Sequence, residues 1–250
     1  MQFQLPESLL DYIKATGNLE KDTVGCNWPL VGLLQEIDDH WRGEVLRGEL
    51  AVEAFAAFLL GQSYFLWLAT VRSALSGHGA AVFPMLRASL ESACYGYTLA
   101  HDPGATRCWL DRDKSQADLK AFRRRFGQAV SDAAKLIAVE HEVIAQRVRD
   151  LYDSAITFGA HPNPHFLLAH VDVAEHTKDR ARYVLTCLNA ADSENTRLAL
   201  SATVEAGLMV CTVNALSFDD HPRGPSVVAG FHAIKNKMDQ VFSRMSLARS

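Results

Sequence analysis

The chain has 250 residues, of which 48% are hydrophobic and 22% charged, with a formal net charge of −4. That length buries a sizeable core without staples, and the acid excess argues against a protein whose main business is gripping phosphate backbone. The five cysteines are odd in number and never form a C-x-x-C pair, which reads as reduced thiols, mostly small core residues, in a cytoplasmic protein. The N-terminus has no basic and apolar signal-peptide pattern.

In chain order the dominant period is helical. Pro6 to Ala15 predicts a short amphipathic helix that Gly17 and Asn18 end. Asn27 or Trp28 opens a second helix, through Trp41. A third runs from Glu49 to Ser76. Its uncharged stretch, AFAAFLLGQSYFLWLATV from Ala54 to Val71, reads as a central bundle helix apolar all round. The same stretch is near the lower length limit for a membrane span, so a membrane-acting effector stays an alternative. Ala80 to Ala100 predicts a fourth helix, and His101-Asp102-Pro103-Gly104 reads as a turn.

Ser115 and Asp118 stand in capping-box spacing. From there an apolar stripe recurs at three- and four-residue steps through Ile137, Ile144, Val148 and Leu151 to Phe158, with a break at Gly127 left open. Glu140 and His141 fall where the next apolar residue of that stripe is due. After Gly159 the period changes. Phe166–Ala174 and Arg182–Leu188 are β-rich, which predicts a β-hairpin over about 166–188 inserted in a helical protein, with the polar residues Glu175 to Asp179 as its turn. Helix returns from Asp192 or Ser193 to Phe218, and a last one spans Val227 to Arg244. No linker divides the chain, so the reading is a single helical domain over 1–250, a mainly α multi-helix bundle.

Several chemistries lack their motif. There is no phosphate-binding loop, dinucleotide fingerprint, nucleophile elbow, zincin pair or Glu-x-x-His couple. Among the constellations that remain, Arg87 and Glu91 share one helix face, flanked by Phe83, Leu90 and Cys94. They read either as a surface ion pair or as a pair drawn into the bundle, where further hydrogen-bond partners are required. In "LYDSAITFGAHPNPH", Leu151 to His165, Gly159 fits a helix C-cap, and Pro162 and Pro164 stiffen the loop after it. That stretch is either a plain helix stop or a loop aiming His161, Asn163 and His165 at a polar pocket. His141 is either a satisfied core histidine or a site residue, and Asp153 stands near the loop. His161, His165, His170 and His176, with Asp172 and Glu175, lack recognised ligand spacing, so no metal is assigned. Lys120 and Arg123–Arg125 read as a solvated face.

The segments LRASLESACYGY (Leu86–Tyr97) and LYDSAITFGAHPNP (Leu151–Pro164) resemble helical bacterial proteins related to HEPN and abortive-infection domains. In that group an Arg-x-x-x-Glu helix precedes a helix ending in a His-Pro-type loop, and the matching positions are Arg87, Glu91 and His161. The resemblance implies an all-α core, a homodimer, and a role in phage defence or toxin–antitoxin pairs. The HEPN ribonucleases carry an arginine followed a few residues on by a histidine, and Arg72 and His78 fit that spacing. The reading adopted is a binding or interaction module with no cofactor, partnered by its own copy or another protein, away from membranes. It places a ligand pocket where Arg87 and Glu91 meet the His161 loop, with His141 and Asp153 near. The enzyme alternative is a metal-independent ribonuclease using Arg72 and His78, the only reading in which RNA is a partner.

Overall fold

The computed structural model describes residues 2–4, 6–48, 51–160, 171–176, 181–218 and 221–247. The chain is a mainly α-helical bundle. Its helices are α1 (Leu9–Cys26), α2 (Trp28–His40), α3 (Ala54–Leu75), α4 (Gly79–His101), α5 (Pro103–Leu110), α6 (Gln116–Phe126), α7 (Ala129–Ala155), α8 (Glu194–Leu216) and α9 (Gly224–Leu247). Single π-helical segments extend α2 (Trp41–Val45) and α7 (Ile156–Ala160). Strand β1 (Gln2–Gln4) pairs parallel with β3 (Ala181–Thr186), and β2 (Val171–His176) pairs antiparallel with β3 in the order β1-β3-β2. The predicted hairpin is thus present in its described part. Its first strand continues through Glu175 and His176, turn residues by their polarity, by means of a register shift between Val173 and Glu175.

Local chemistry sets several boundaries. Ser8, Ser115 and Ser193 each accept the N–H three residues on, closing the first turns of α1, α6 and α8. The Glu53 carboxylate accepts from the Ala56 N–H and starts α3 later than Glu49. Asp102 caps Gly104 and Pro103 takes the first position of α5, so the predicted turn is a helix start. α1 passes through Gly17 and Asn18 instead of ending there, and reaches Cys26. Glu20 on its second half pairs with Arg72 at 3.5 Å, and Thr23 is fully buried, so tertiary contact overrides the local stop signal. Gly127 does break the long stripe, separating α6 from α7.

α8 runs through the centre with buried residues on every side. α3 and α4 form a hairpin through Ser76, Gly77 and His78, where Gly77 takes φ +81°. Trp41, Trp67, Ile37, Leu60, Leu200 and Val210 form the heart of the main core. A second cluster (Leu59, Leu99, Phe126 and Ala129 among its members) closes the α5–α6 end. The all-round burial expected of Ala54–Val71 does not hold. Tyr64 and Trp67 are buried, but Phe58 and Phe65 are 68% and 67% exposed, so α3 keeps one apolar stripe open to its surroundings. Among the described residues, Ala54–Leu75 and Glu194–Leu216 are long and apolar enough to cross a membrane, and 39% and 72% of their windows are buried in the fold. All five cysteines are free, and only Cys94 and Cys211 are buried, fewer than the sequence suggests.

Candidate functional site

A cavity of about 460 Å³ lies between α4, α7 and α8. Each helix supplies one wall by its own spacing. α4 gives Gly79, Phe83, Leu86 and Leu90. α7 and its π-helical extension give Leu151, Ser154, Ala155 and Phe158. α8 gives Leu198, Ala199, Ala202 and Ala206. The small residues on α8 make the hollow, because alanine leaves unfilled the space that leucine opposite cannot reach. At the Gly79 end α7 closes tightly on α4: a Cβ at Gly159 would lie 2.7 Å from Pro84 Cδ. Phe158 stacks obliquely on Phe83 there, ring centroids 5.5 Å apart. Polar groups at the walls are few: Asn189, Asn195, Ser154, Ser201 and Glu205.

Arg87 and Glu91 adjoin this cavity, one residue on from Leu86 and Leu90. Arg87 Nε donates to Glu91 Oε1 at 2.8 Å, and their side chains are 32% and 33% exposed. The pair is therefore half-buried, between the two readings the sequence allows. The further partner it needs comes from α7. Tyr152 Oη donates to the same Glu91 oxygen at 2.9 Å, and its ring lies 5.5 Å from the Arg87 guanidinium carbon. Burial first, then the bond to Glu91, pushes the Tyr152 phenol above its ordinary value. Glu91 also holds the Arg87 proton more tightly. The triad closes the α4–α7 seam beside the cavity, and Tyr152 is a member that sequence reasoning misses.

The remaining candidates fall partly outside the described residues. His161, Asn163 and His165, like His170, lie outside the described residues. Asp153 is exposed on α7 and does not line the cavity. His141 is neither in the core nor beside Arg87. Its φ of −137° and ψ of 60° kink α7, and the kink is why the stripe skips from Ile137 to Ile144 and Ala145 with Glu140 and His141 left outside. His141 borders a second cavity of about 280 Å³ with His40 and His232, over Cys211. Among the described residues no group of three or more His, Cys, Asp or Glu is placed to hold a metal ion.

Arg72 and His78 each have other side-chain partners. Arg72 pairs with Glu20 across the α1–α3 seam. Ser76 Oγ donates to the Arg72 carbonyl at 2.8 Å and lies 2.8 Å from His78 Nδ1, while Tyr12 Oη bonds His78 Nε2. The consistent assignment is a neutral imidazole donating from Nδ1 and accepting at Nε2. Burial lowers the His78 pKa, as that arrangement requires. The basic run on α6 is solvated as expected, except that Arg125 pairs with Asp102 at 2.8 Å.

His40 gives a pH prediction. Burial lowers its pKa, opposed by the neighbouring Glu44. A folded-state pKa below the unfolded value of about 6.5 means that the unfolded chain takes up the proton more readily. Stability is then complete above that value and falls as pH drops through it. His78 adds the same sign. We expect the thermal midpoint to decline as pH falls below about 6.5, the unfolded-state value. His40→Gln should remove part of that decline; an unchanged slope in differential scanning calorimetry would show that His40 does not contribute.

Comparison with protein-family models, with curated proteins and with solved structures finds no match to this chain.

Proposed function

We propose that the protein is a binding module whose α4–α7–α8 cavity takes an apolar small molecule, with no chemistry performed on it. The observation that carries this reading is the cavity itself. Its volume of about 460 Å³ falls in the range of ligand pockets, about 300–1,000 Å³, and apolar side chains dominate its walls. Phe158 and Leu198 on its walls are 44% and 49% exposed, so the hollow opens to the surface and a ligand can enter it. Among the described residues, nothing on its walls is equipped as a nucleophile with an adjacent base. Ser154 and Ser201 have no histidine beside them in the lining, and the Glu205 carboxylate is paired with Arg147 at 3.3 Å.

The test uses a neutral fluorescent dye, N-phenyl-naphthylamine, whose emission rises in apolar surroundings. The wild-type protein should bind it saturably. Ala202→Phe on α8 projects a ring into the hollow from a half-buried position and should weaken dye binding at least tenfold, about 1.4 kcal/mol. Because the substitution fills empty space, the thermal midpoint should hold or rise. Equal dye affinity in both proteins would place the dye elsewhere and end the reading.

A further inference from the structure

The cavity is asymmetric along its length, and the asymmetry specifies a ligand. α4 and α8 run in the same direction: the Asn189 N–H, just ahead of α8, donates at 2.9 Å to the carbonyl of Gly77, just ahead of α4. Gly79 and Asn189 therefore line one end, and Leu90, Glu205 and Ala206 the other. Gly79 and Leu90 are eleven steps apart along α4, a length of about 16 Å.

Asn189 is only 7% exposed, and its carboxamide has no hydrogen-bond partner among the described residues. The residue borders the cavity, where its amide is available to a polar atom of whatever is bound. The same end holds the first turn of α4. Gly79 is buried there, and His78 before it gives no side-chain cap, its ring being engaged by Tyr12 and Ser76. The Ala81 N–H bonds the His78 carbonyl at 2.9 Å, which leaves the Gly79 and Ala80 N–H groups without a carbonyl within the helix, at the positive end of its dipole. Both features ask for an acceptor, best an anionic one. α8 asks for nothing similar, since Ser193 and Glu194 already serve its start. At the far end Glu205 disfavours an anion, and Arg147 already supplies its counter-charge.

We propose that the cavity binds a linear monocarboxylate, its head between Asn189 and the first turn of α4 and its tail among Leu86, Leu90, Ala202 and Ala206. The proposal rests on the cavity being a ligand site, and the test separates the two. Decanoate, decanol and decylamine are compared as competitors of bound N-phenyl-naphthylamine at neutral pH. Decanoate should displace the dye at about one tenth the concentration the other two need. Asn189→Asp, which sets a carboxylate against the head, should reverse that order, and Asn189→Leu should erase it, both variants still binding the dye. Decanol or decylamine displacing as well as decanoate, or an order unchanged in the Asn189 variants, overturns the head-group assignment and leaves the cavity reading standing. Failure of the wild-type protein to bind the dye overturns both.

Discussion

Gly207→Ala should destabilise the protein by about 2–4 kcal/mol, although adding a methyl group to a helical glycine ordinarily stabilises by about 1 kcal/mol. Gly207 faces α3 from the middle of α8, and a Cβ there would stand 2.6 Å from Trp67 Cε2 and 3.0 Å from Cζ2. Trp67 is 1% exposed and cannot swing aside into solvent. Its indole N–H is also committed, donating to the Thr203 carbonyl at 3.0 Å. A displaced ring would lose that bond inside the core, about 1–3 kcal/mol on top of the overpacking. For a chain of this size the thermal midpoint should fall on the order of 10 °C. Two companions make the cause legible. Gly61→Ala on α3, where nothing lies within 4 Å, should hold or gain stability. Gly207→Ala combined with Trp67→Phe should cost less than the sum of the two changes, because the smaller ring frees the space the methyl takes. Strict additivity in urea titrations would mean that the two side chains do not meet.

What is legible in the sequence is local. Ser115 and Ser193 announce helix starts because a cap acts on its own next turn, and the structure shows both bonds. Gly127 breaks the stripe for the same kind of reason. The misreadings share the opposite cause. Gly17 and Asn18 carry a helix-stop signal, but packing of α1 on α3 keeps the helix going to Cys26. Pro103 reads as a turn residue until Asp102 is seen capping Gly104. The polarity of Glu140 and His141 looks like a gap in a buried seam; the kink at His141 turns both outward, which no periodicity expresses.

The site is less legible than the fold. Arg87 and Glu91 stand out as charges on an apolar face, and they do meet at the α4–α7 seam, but their third partner is an unremarkable tyrosine far along the chain. The cavity beside them has no signature at all. Phe83, Leu86, Leu151 and Ala202 are what any core-facing helix presents, and a hollow exists only in the sum of three helices. Asn189 lies in a connection between β3 and α8 with no motif around it, and its place on the cavity wall is a property of the folded state alone.

Asn214→Asp, a change of one side-chain atom, should cost more than any of these, about 3–5 kcal/mol at neutral pH. Asn214 is fully buried on α8. Its Nδ2 donates to the Leu60 carbonyl and to Ser63 Oγ, each at 3.1 Å. Ser63 Oγ donates in turn to the Leu60 carbonyl at 2.7 Å, and Ser89 on α4 donates to the Ser63 carbonyl at 2.8 Å. This knot ties α3, α4 and α8 together in a region otherwise apolar. Aspartate removes both amide donors and adds a charge with no cation described beside it. Burial would raise the new carboxyl's pKa above its unfolded value of about 3.9. The penalty is then complete above the folded-state pKa and shrinks as pH falls toward the unfolded one, the reverse of the His40 dependence. Asn214→Leu supplies the control. It has similar bulk and no charge, and Ser63 still satisfies Leu60, so about 1–2 kcal/mol is expected at every pH. Urea denaturation of both variants near neutrality and near pH 5 decides the matter. If aspartate and leucine cost the same, with no pH dependence between them, then Asn214 is not the sealed junction of the three helices.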